Sequence, residues 1–243
     1  MTIQSTQATL QYWRDVARDL LNEFDAADGL ASYYTLHHDP KRTTLTVHRS
    51  GDGVLDGFLA CCQTGIDLFR PLVTLRLRGV GAEAPLIREA LAPGRPYLLV
   101  VPEPLVERLK GHLEISDPVL NRIMRLDPAR FQPEINALVI RTRDRAGNPR
   151  AEIRRGDEVL GAAGVNWRSP IFAEVYVQVS TEHQRQGLGR SLVNAVAADL
   201  LKLGVTPLYN AALNDKVSLA LAEKVGFVDT GARELMAQAR RIG

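Results

Sequence analysis

The sequence predicts an α/β chain made of two copies of one strand-and-helix unit, and three observations carry that reading. Residues 174–204 read as strand, turn and helix: an alternating run from Glu174 to Val179, a polar loop, two glycines one residue apart, then apolar residues at 188, 192, 195, 196, 200 and 203. Upstream, short strand-like runs broken by Asp-Pro and Gly-Asp-Gly turns lead into helical segments and a further apolar strand. Finally, residues 31–55 align without a gap on 136–160 at a constant offset of 105, with six identities in 25 positions.

In chain order, Leu10, Trp13, Val16, Ala17, Leu20, Leu21 and Phe24 share one face of an amphipathic helix over 7–24. Strands are expected at 31–37, 43–49, 54–62 and 71–77, a short helix at 83–91, a strand at 97–101, a helix from Pro104 to Lys110 and an extended stretch from Gly111. The order then recurs. Val73–Leu77 answers Val175–Val179, Tyr97–Val101 answers Leu208–Ala212, and Gly111-His112 answers Gly226-Phe227, which puts a junction near Asp127–Glu134. In the first copy Leu77 runs directly into Arg78-Gly79-Val80-Gly81, so the loop that holds Thr181–Gln186 in the second copy has been lost.

Composition narrows the function. At 243 residues the chain exceeds a single domain of about 100–200 residues, and with 45% hydrophobic residues it can bury a core. A formal net charge of +2, with no basic stripe and no interleaving of aromatic and basic residues, argues against nucleic acid as a partner. The N-terminus has no apolar targeting segment and no 18-residue apolar run occurs, so the expectation is a cytoplasmic protein with no membrane partner. Cys61 and Cys62 are adjacent and read as reduced core residues, and the five histidines form no ligand motif, so no metal is expected.

The loop before the helix is suited to phosphate. Gly187 and Gly189 bear no Cβ, so successive amides at the helix start can converge on an anion, aided by the positive end of the helix dipole. A Walker loop is absent, and a dinucleotide fingerprint would need Gly or Ala where Leu192 stands. What remains, Gln184-Arg185-Gln186-Gly187-Leu188-Gly189 preceded by Val179, resembles the Gln/Arg-x-x-Gly-x-Gly/Ala signature of the GNAT superfamily of acyl-CoA N-acyltransferases. Asn214 at a helix start, Ser218 four residues on and Lys224-Val225-Gly226-Phe227 at its end resemble the second signature of that superfamily. The resemblance covers roughly residues 134–243.

The resemblance implies a GNAT fold: a mixed, mostly antiparallel sheet flanked by helices, here as two tandem units. Residues 1–132 would be a degenerate GNAT-like unit and 133–243 an N-acetyltransferase domain. It further implies acetyl-CoA as acyl donor and a primary amine of a small molecule or protein as acceptor, with the chain a monomer or a homodimer. The backbone of Val177 and Val179 and the stretch Gln184, Arg185, Gln186, Gly187, Leu188, Gly189, Arg190 and Ser191 would hold the coenzyme. Asn214 and Ser218 either contact the coenzyme arm or cap the helix. Arg185 and Arg190 would add charge to the phosphates or lie on the surface. Glu174, on the strand before the loop, is the candidate base unless strand alternation turns it to solvent; Trp167 reads as a packing residue. The expected oxyanion donor is a backbone N–H near Val179. Many relatives carry a Tyr four residues after the helix Ser to protonate the leaving thiolate, and Ala222 stands there. Two alternatives follow: a transferase of a longer acyl-CoA, or a non-catalytic acyl-CoA-binding or regulatory module.

Overall fold

The computed structural model describes residues 1–65 and 67–243, and it divides into two compact units, Met1–Asn121 with Arg233–Gly243, and Arg122–Ala232. The first unit comprises β1 (Thr2–Gln4), α1 (Leu10–Ala17), α2 (Gly29–Ser32), β2 (Thr43–Arg49), β3 (Leu55–Cys62), β4 (Leu72–Leu77), α3 (Glu83–Ala90), β5 (Pro96–Pro102) and α4 (Val106–Leu109). β6 (Leu113–Leu126) leads out of it. The second unit continues with β7 (Ile140–Arg143), β8 (Pro149–Arg155), β9 (Glu158–Arg168), β10 (Phe172–Val179), α5 (Leu188–Lys202), β11 (Thr206–Ala212) and α6 (Lys216–Val225), and β12 (Phe227–Arg241) carries the chain back.

Each unit repeats one pattern: an antiparallel meander, one parallel pairing across a helix, then a closing strand. In the first, β1 to β4 pair antiparallel in sequence, β4 pairs β5 in parallel, and residues 234–240 of β12 lie antiparallel on β5. In the second, β7 to β10 pair antiparallel, β10 pairs β11 in parallel, and β6 is the strand beside β11. The closing strands are therefore exchanged in sequence. The strand after α4 closes on β11, and the strand after α6 closes on β5. The boundary accordingly lies at Asn121/Arg122, before the stretch 127–134 expected from the sequence, and residues 233–243 return to the first unit. A strand pairs with whichever open edge its hydrophobic register suits, so sequence order alone does not fix its neighbour.

Most elements form where the hydrophobic pattern puts them. Leu192, Val193, Ala195, Val196, Ala197 and Leu200 of α5 are buried against Val165, Ala173, Val175 and Tyr209, and Gly204, at φ 73°, stops the helix. In the first unit Leu86 and Ile87 of α3 pack on Leu59, Val73, Leu75 and Leu99. Two expectations fail. The opening helix ends at Ala17, followed by a 3-10 turn over Arg18–Leu20. The segment 31–37, rich in aromatic and β-branched residues and expected as a strand, is helical: α2 runs into a π-turn over Tyr33–His37. Its physical cause is Arg14. That buried guanidinium donates from Nε to the Thr35 carbonyl (2.9 Å) and from an Nη to the His38 carbonyl (2.5 Å), so a strand ladder would leave a buried cation unpaired. The repeat consequently holds from Asp39/Asp144 onward, where both aspartates accept an amide two residues ahead, and not over 31–37.

The exchange generates a prediction about cutting the chain. Residues 133–243 alone lack β6, one of the two neighbours of β11, and carry residues 234–240 without β5, so this fragment is expected to aggregate and to show no cooperative melt by circular dichroism. A soluble fragment with a sharp melt would mean that the closing strands are dispensable.

Candidate functional site

The second unit has its site where parallel pairing ends. β10 and β11 pair at Phe172/Thr206, Ala173/Pro207 and Glu174/Leu208, and no further. Past Glu174, β10 stays paired to β9 through Val179/Gly161 while parting from β11. Ser180 N–H donates to the Leu160 carbonyl of β9 (2.9 Å). Amide directions alternate along a strand, so those of Val177 and Val179 point to the β11 side, into the gap. The Val179 carbonyl accepts the Gln184 side-chain amide (3.3 Å).

The loop that follows is coiled to expose its amides. Thr181–His183 form a 3-10 turn, then Arg185 (φ 62°) and Gly187 (φ 80°) adopt the left-handed region. For Arg185 that costs roughly 1–2 kcal/mol, a local strain of the kind found where function demands a backbone direction. Gly187 is the N-cap of α5 and offers no side chain to the first amides; the first helical bond is from Ser191 N–H to the Gly187 carbonyl (3.2 Å). Among the described residues no protein acceptor takes the amides of residues 185–190, which leaves them at the positive end of a 15-residue helix. The arrangement can bind a phosphate anion. Gly189 differs from Gly187, because a Cβ there would lie 3.4 Å from Leu221 and 3.7 Å from Val179, ordinary contact distances, and its backbone needs no special conformation.

The structure sorts the remaining expected residues. Gln184, Arg185, Gln186, Gly187, Leu188 and Gly189 line the loop together with the open stretch of Val177 and Val179. Gln186 donates to the Glu182 carbonyl (3.3 Å), shaping the turn. Arg190 is held by Glu134 (2.9 Å), and the Ser191 hydroxyl is buried, accepting the Asn136 amide (3.1 Å), so both side chains turn to the segment before β7. Asn214 is not the cap of α6. Asp215 is: its carboxylate accepts the Ser218 N–H (3.0 Å) and hydroxyl (2.7 Å), so the helix starts one residue later and Ser218 stands three residues from the cap. Asp215 is thereby held below the usual carboxylate range, first by the Ser218 N–H. Tyr209, buried on β11, has its phenol pushed up by burial, with Ser218 acting in the opposite direction. Gly226 ends α6 at φ 111°, where a Cβ would meet the Arg130 backbone at 3.0 Å.

Glu174 is half-buried, on the face of the sheet opposite the one that bears Ala173 and Val175. A bulge at Asn166 gives β9 one extra residue, because Trp167 pairs Glu174 while Val165 pairs Val175. The bulge brings Trp167 to the Glu174 side, where its indole Nε1–H donates to one carboxylate oxygen (3.0 Å) and the Asn166 amide donates to the other (2.6 Å). Burial raises the Glu174 carboxyl above its ordinary range, and the two donors pull it back. Sequence reasoning missed Asn166 and the second role of Trp167. A buried indole N–H needs an acceptor, which was the available signal.

The first unit carries the same parting of strands but a filled anion position. Its parallel pairing stops at Val73/Leu99. At the turn into α3, a Glu83 oxygen accepts the Gly81 amide (3.1 Å) and the Arg108 guanidinium (2.8 Å), and Arg108 also donates to the Gly79 carbonyl. An internal carboxylate occupies the place where the second unit leaves amides open. Burial raises the Glu83 carboxyl, but Arg108 and the backbone donors outweigh it and the net shift is downward.

Residues 153–236 match the model of the family described as FR47-like protein. Similar solved structures include a tandem GNAT protein from the clavulanic acid biosynthesis pathway (16% identity, 99% of this chain and 98% of that one, TM-score 0.64). Others are a GCN5-related N-acetyltransferase from Sphaerobacter thermophilus (12%, 100% and 96%, 0.62) and a putative GNAT-family acetyltransferase from Novosphingobium aromaticivorans (16%, 76% and 89%, 0.58). No curated protein matches the sequence. The chain has the GNAT fold, in two units. Among the described residues no cluster of His, Cys, Asp or Glu is arranged to hold a metal, and no helix is long and apolar enough to cross a membrane.

Arg108→Ala is expected to strand the Glu83 carboxylate and lower stability by about 1–3 kcal/mol in urea unfolding. Loss of acetyl-CoA affinity in a variant that stays folded would contradict the assignment of this pair to a filled, non-binding position.

Proposed function

We propose that the second unit transfers an acetyl group from acetyl-CoA to a primary amine. The observation that carries this is the row of unpartnered amides over residues 185–190 beside a strand gap opening at Glu174. The amides hold the pyrophosphate, and the freed N–H groups of Val177 and Val179 receive the pantetheine arm and the thioester oxygen. Arg185, exposed beside the loop, adds charge to the phosphates.

Glu174 takes the proton. An alkyl ammonium of pKa near 10 is mostly protonated at neutral pH, so the lone pair must be uncovered before attack. The amine nitrogen then forms a bond to the thioester carbon, the carbon–sulfur bond breaks, the sulfur leaves with the electron pair, and the nitrogen, now bonded to the acyl carbon, gives its second surplus proton to solvent. A thiolate of pKa about 8.5 is a fair leaving group, and it draws its proton from solvent in the absence of an acid at Ala222. The carboxylate must be ionised to accept, and burial raises its pKa, so the acid limb of the kcat/KM profile should lie above the ordinary Glu range and activity should fall as pH drops through it. The first unit supports the second without binding coenzyme. The proposal includes a cytoplasmic setting, a monomer or homodimer, and no role for nucleic acid, membrane or metal. A non-catalytic acyl-CoA-binding module is the second reading, favoured by the fully buried Ala222.

Isothermal titration with acetyl-CoA tests the coenzyme site. Binding to the wild type and at least a tenfold loss in Gly187→Glu, which strains a left-handed position and places a carboxylate against the cradle, is the expected result. Unchanged affinity in a folded Gly187→Glu protein removes the site. For the chemistry, Glu174→Gln should lower kcat by about 10²–10⁴ with the coenzyme dissociation constant kept. Binding with no free CoA released from any amine would leave the module reading.

A further inference from the structure

α5 packs along one face of β8, β9 and β10, and the opposite face of these strands is composed differently. It bears Glu174, Tyr176 and Gln178 from β10, and across from them Trp167, Gly164 and Ala162 of β9. Tyr176 does not stand upright on the sheet. Its ring lies over Gly164, where a Cβ would come within 2.8 Å of the phenol oxygen and 2.9 Å of Cε1. A half-buried carboxylate, an indole and a recumbent phenol thus adjoin one another at the point where the strands part. Among the described residues Glu174 is held by two neutral donors and by no cation, so its charge when ionised is uncompensated. A second carboxylate on this face, Glu152, is paired with Arg150 (2.9 Å) and Arg154 (2.8 Å), which occupies those two cations.

From this we infer that the face of β9 and β10 around Glu174, floored by Tyr176 on Gly164, selects an arylalkyl or alkyl ammonium that carries no carboxylate. The ammonium is drawn to Glu174 and its carbon skeleton lies on the Tyr176 ring, a cation–π and apolar contact. An α-amino acid would set its own carboxylate against Glu174, with Arg150 and Arg154 already engaged. The inference rests on the amine-transfer reading for its biological meaning, but binding is measurable without turnover.

The experiment uses the full chain in a Trp13→Phe background, so that Trp167 is the one remaining tryptophan of two and its fluorescence reports the site. Titration with 2-phenylethylamine should give a saturable change, and phenylalanine should bind at least tenfold more weakly. Gly164→Ala, which forces the ring off the sheet, should weaken 2-phenylethylamine at least fivefold while acetyl-CoA affinity by calorimetry stays within twofold. Tyr176→Phe, which keeps the ring, should retain amine binding, and Tyr176→Ala should lose it, which covers the case of a poorly folded Gly164→Ala. Equal affinity for phenylalanine, no saturable change with the amine, or amine binding indifferent to both Gly164→Ala and Tyr176→Ala would overturn the inference. Amine binding with this pattern but no CoA release would uphold it and sink the transferase reading instead.

Discussion

The second unit depends on where one parallel ladder stops. Three paired positions between β10 and β11 hold the strands together, and beyond Glu174 and Leu208 they diverge. A sheet interior normally satisfies every amide, so a divergence inside it leaves donors that must be met by something else. The same divergence sets the neighbouring parts. It frees the backbone of Val177 and Val179, it lies beside the loop that delivers α5, and it sits one bulge away from the pair that grips Glu174. The two units also differ here. Both part their strands, but the first supplies its own anion in Glu83, whereas the second leaves the amides of its longer loop open.

How far the sequence discloses this follows the range of the forces involved. The loop and α5 are legible because glycine conformation, amide exposure and the 3.6-residue apolar period are properties of adjacent residues. The meander strands are legible for the same reason. The segment 31–37 misleads because its conformation is dictated by Arg14, some twenty residues away, whose buried charge outweighs the β-propensity of Tyr33, Tyr34 and Thr35. The cap of α6 reads one residue early because Asn214 and Asp215 are both competent caps, and the Ser218 amide that decides between them is invisible in one dimension.

Glu174 is legible as a candidate, but the means by which it is held is not. Its donors come from a strand paired antiparallel to its own, and they reach it because Asn166 is extruded from the ladder. A one-residue bulge leaves no mark in an alternating sequence, yet it reverses which face every later side chain of that strand presents. Without it Trp167 would fall on the same side as Val165.

The exchange of closing strands bears on how the protein is made. Synthesis delivers β5 long before residues 234–240, so the first unit's sheet keeps an unsatisfied edge while the whole second unit emerges from the ribosome. The first unit cannot finish folding as an independent early product. The nascent chain carries an exposed, apolar strand edge for more than a hundred residues of elongation, which makes the arrival of β12 the step that closes the first unit's sheet and the interval before it the time when a chaperone, or a neighbouring nascent chain, has its opportunity.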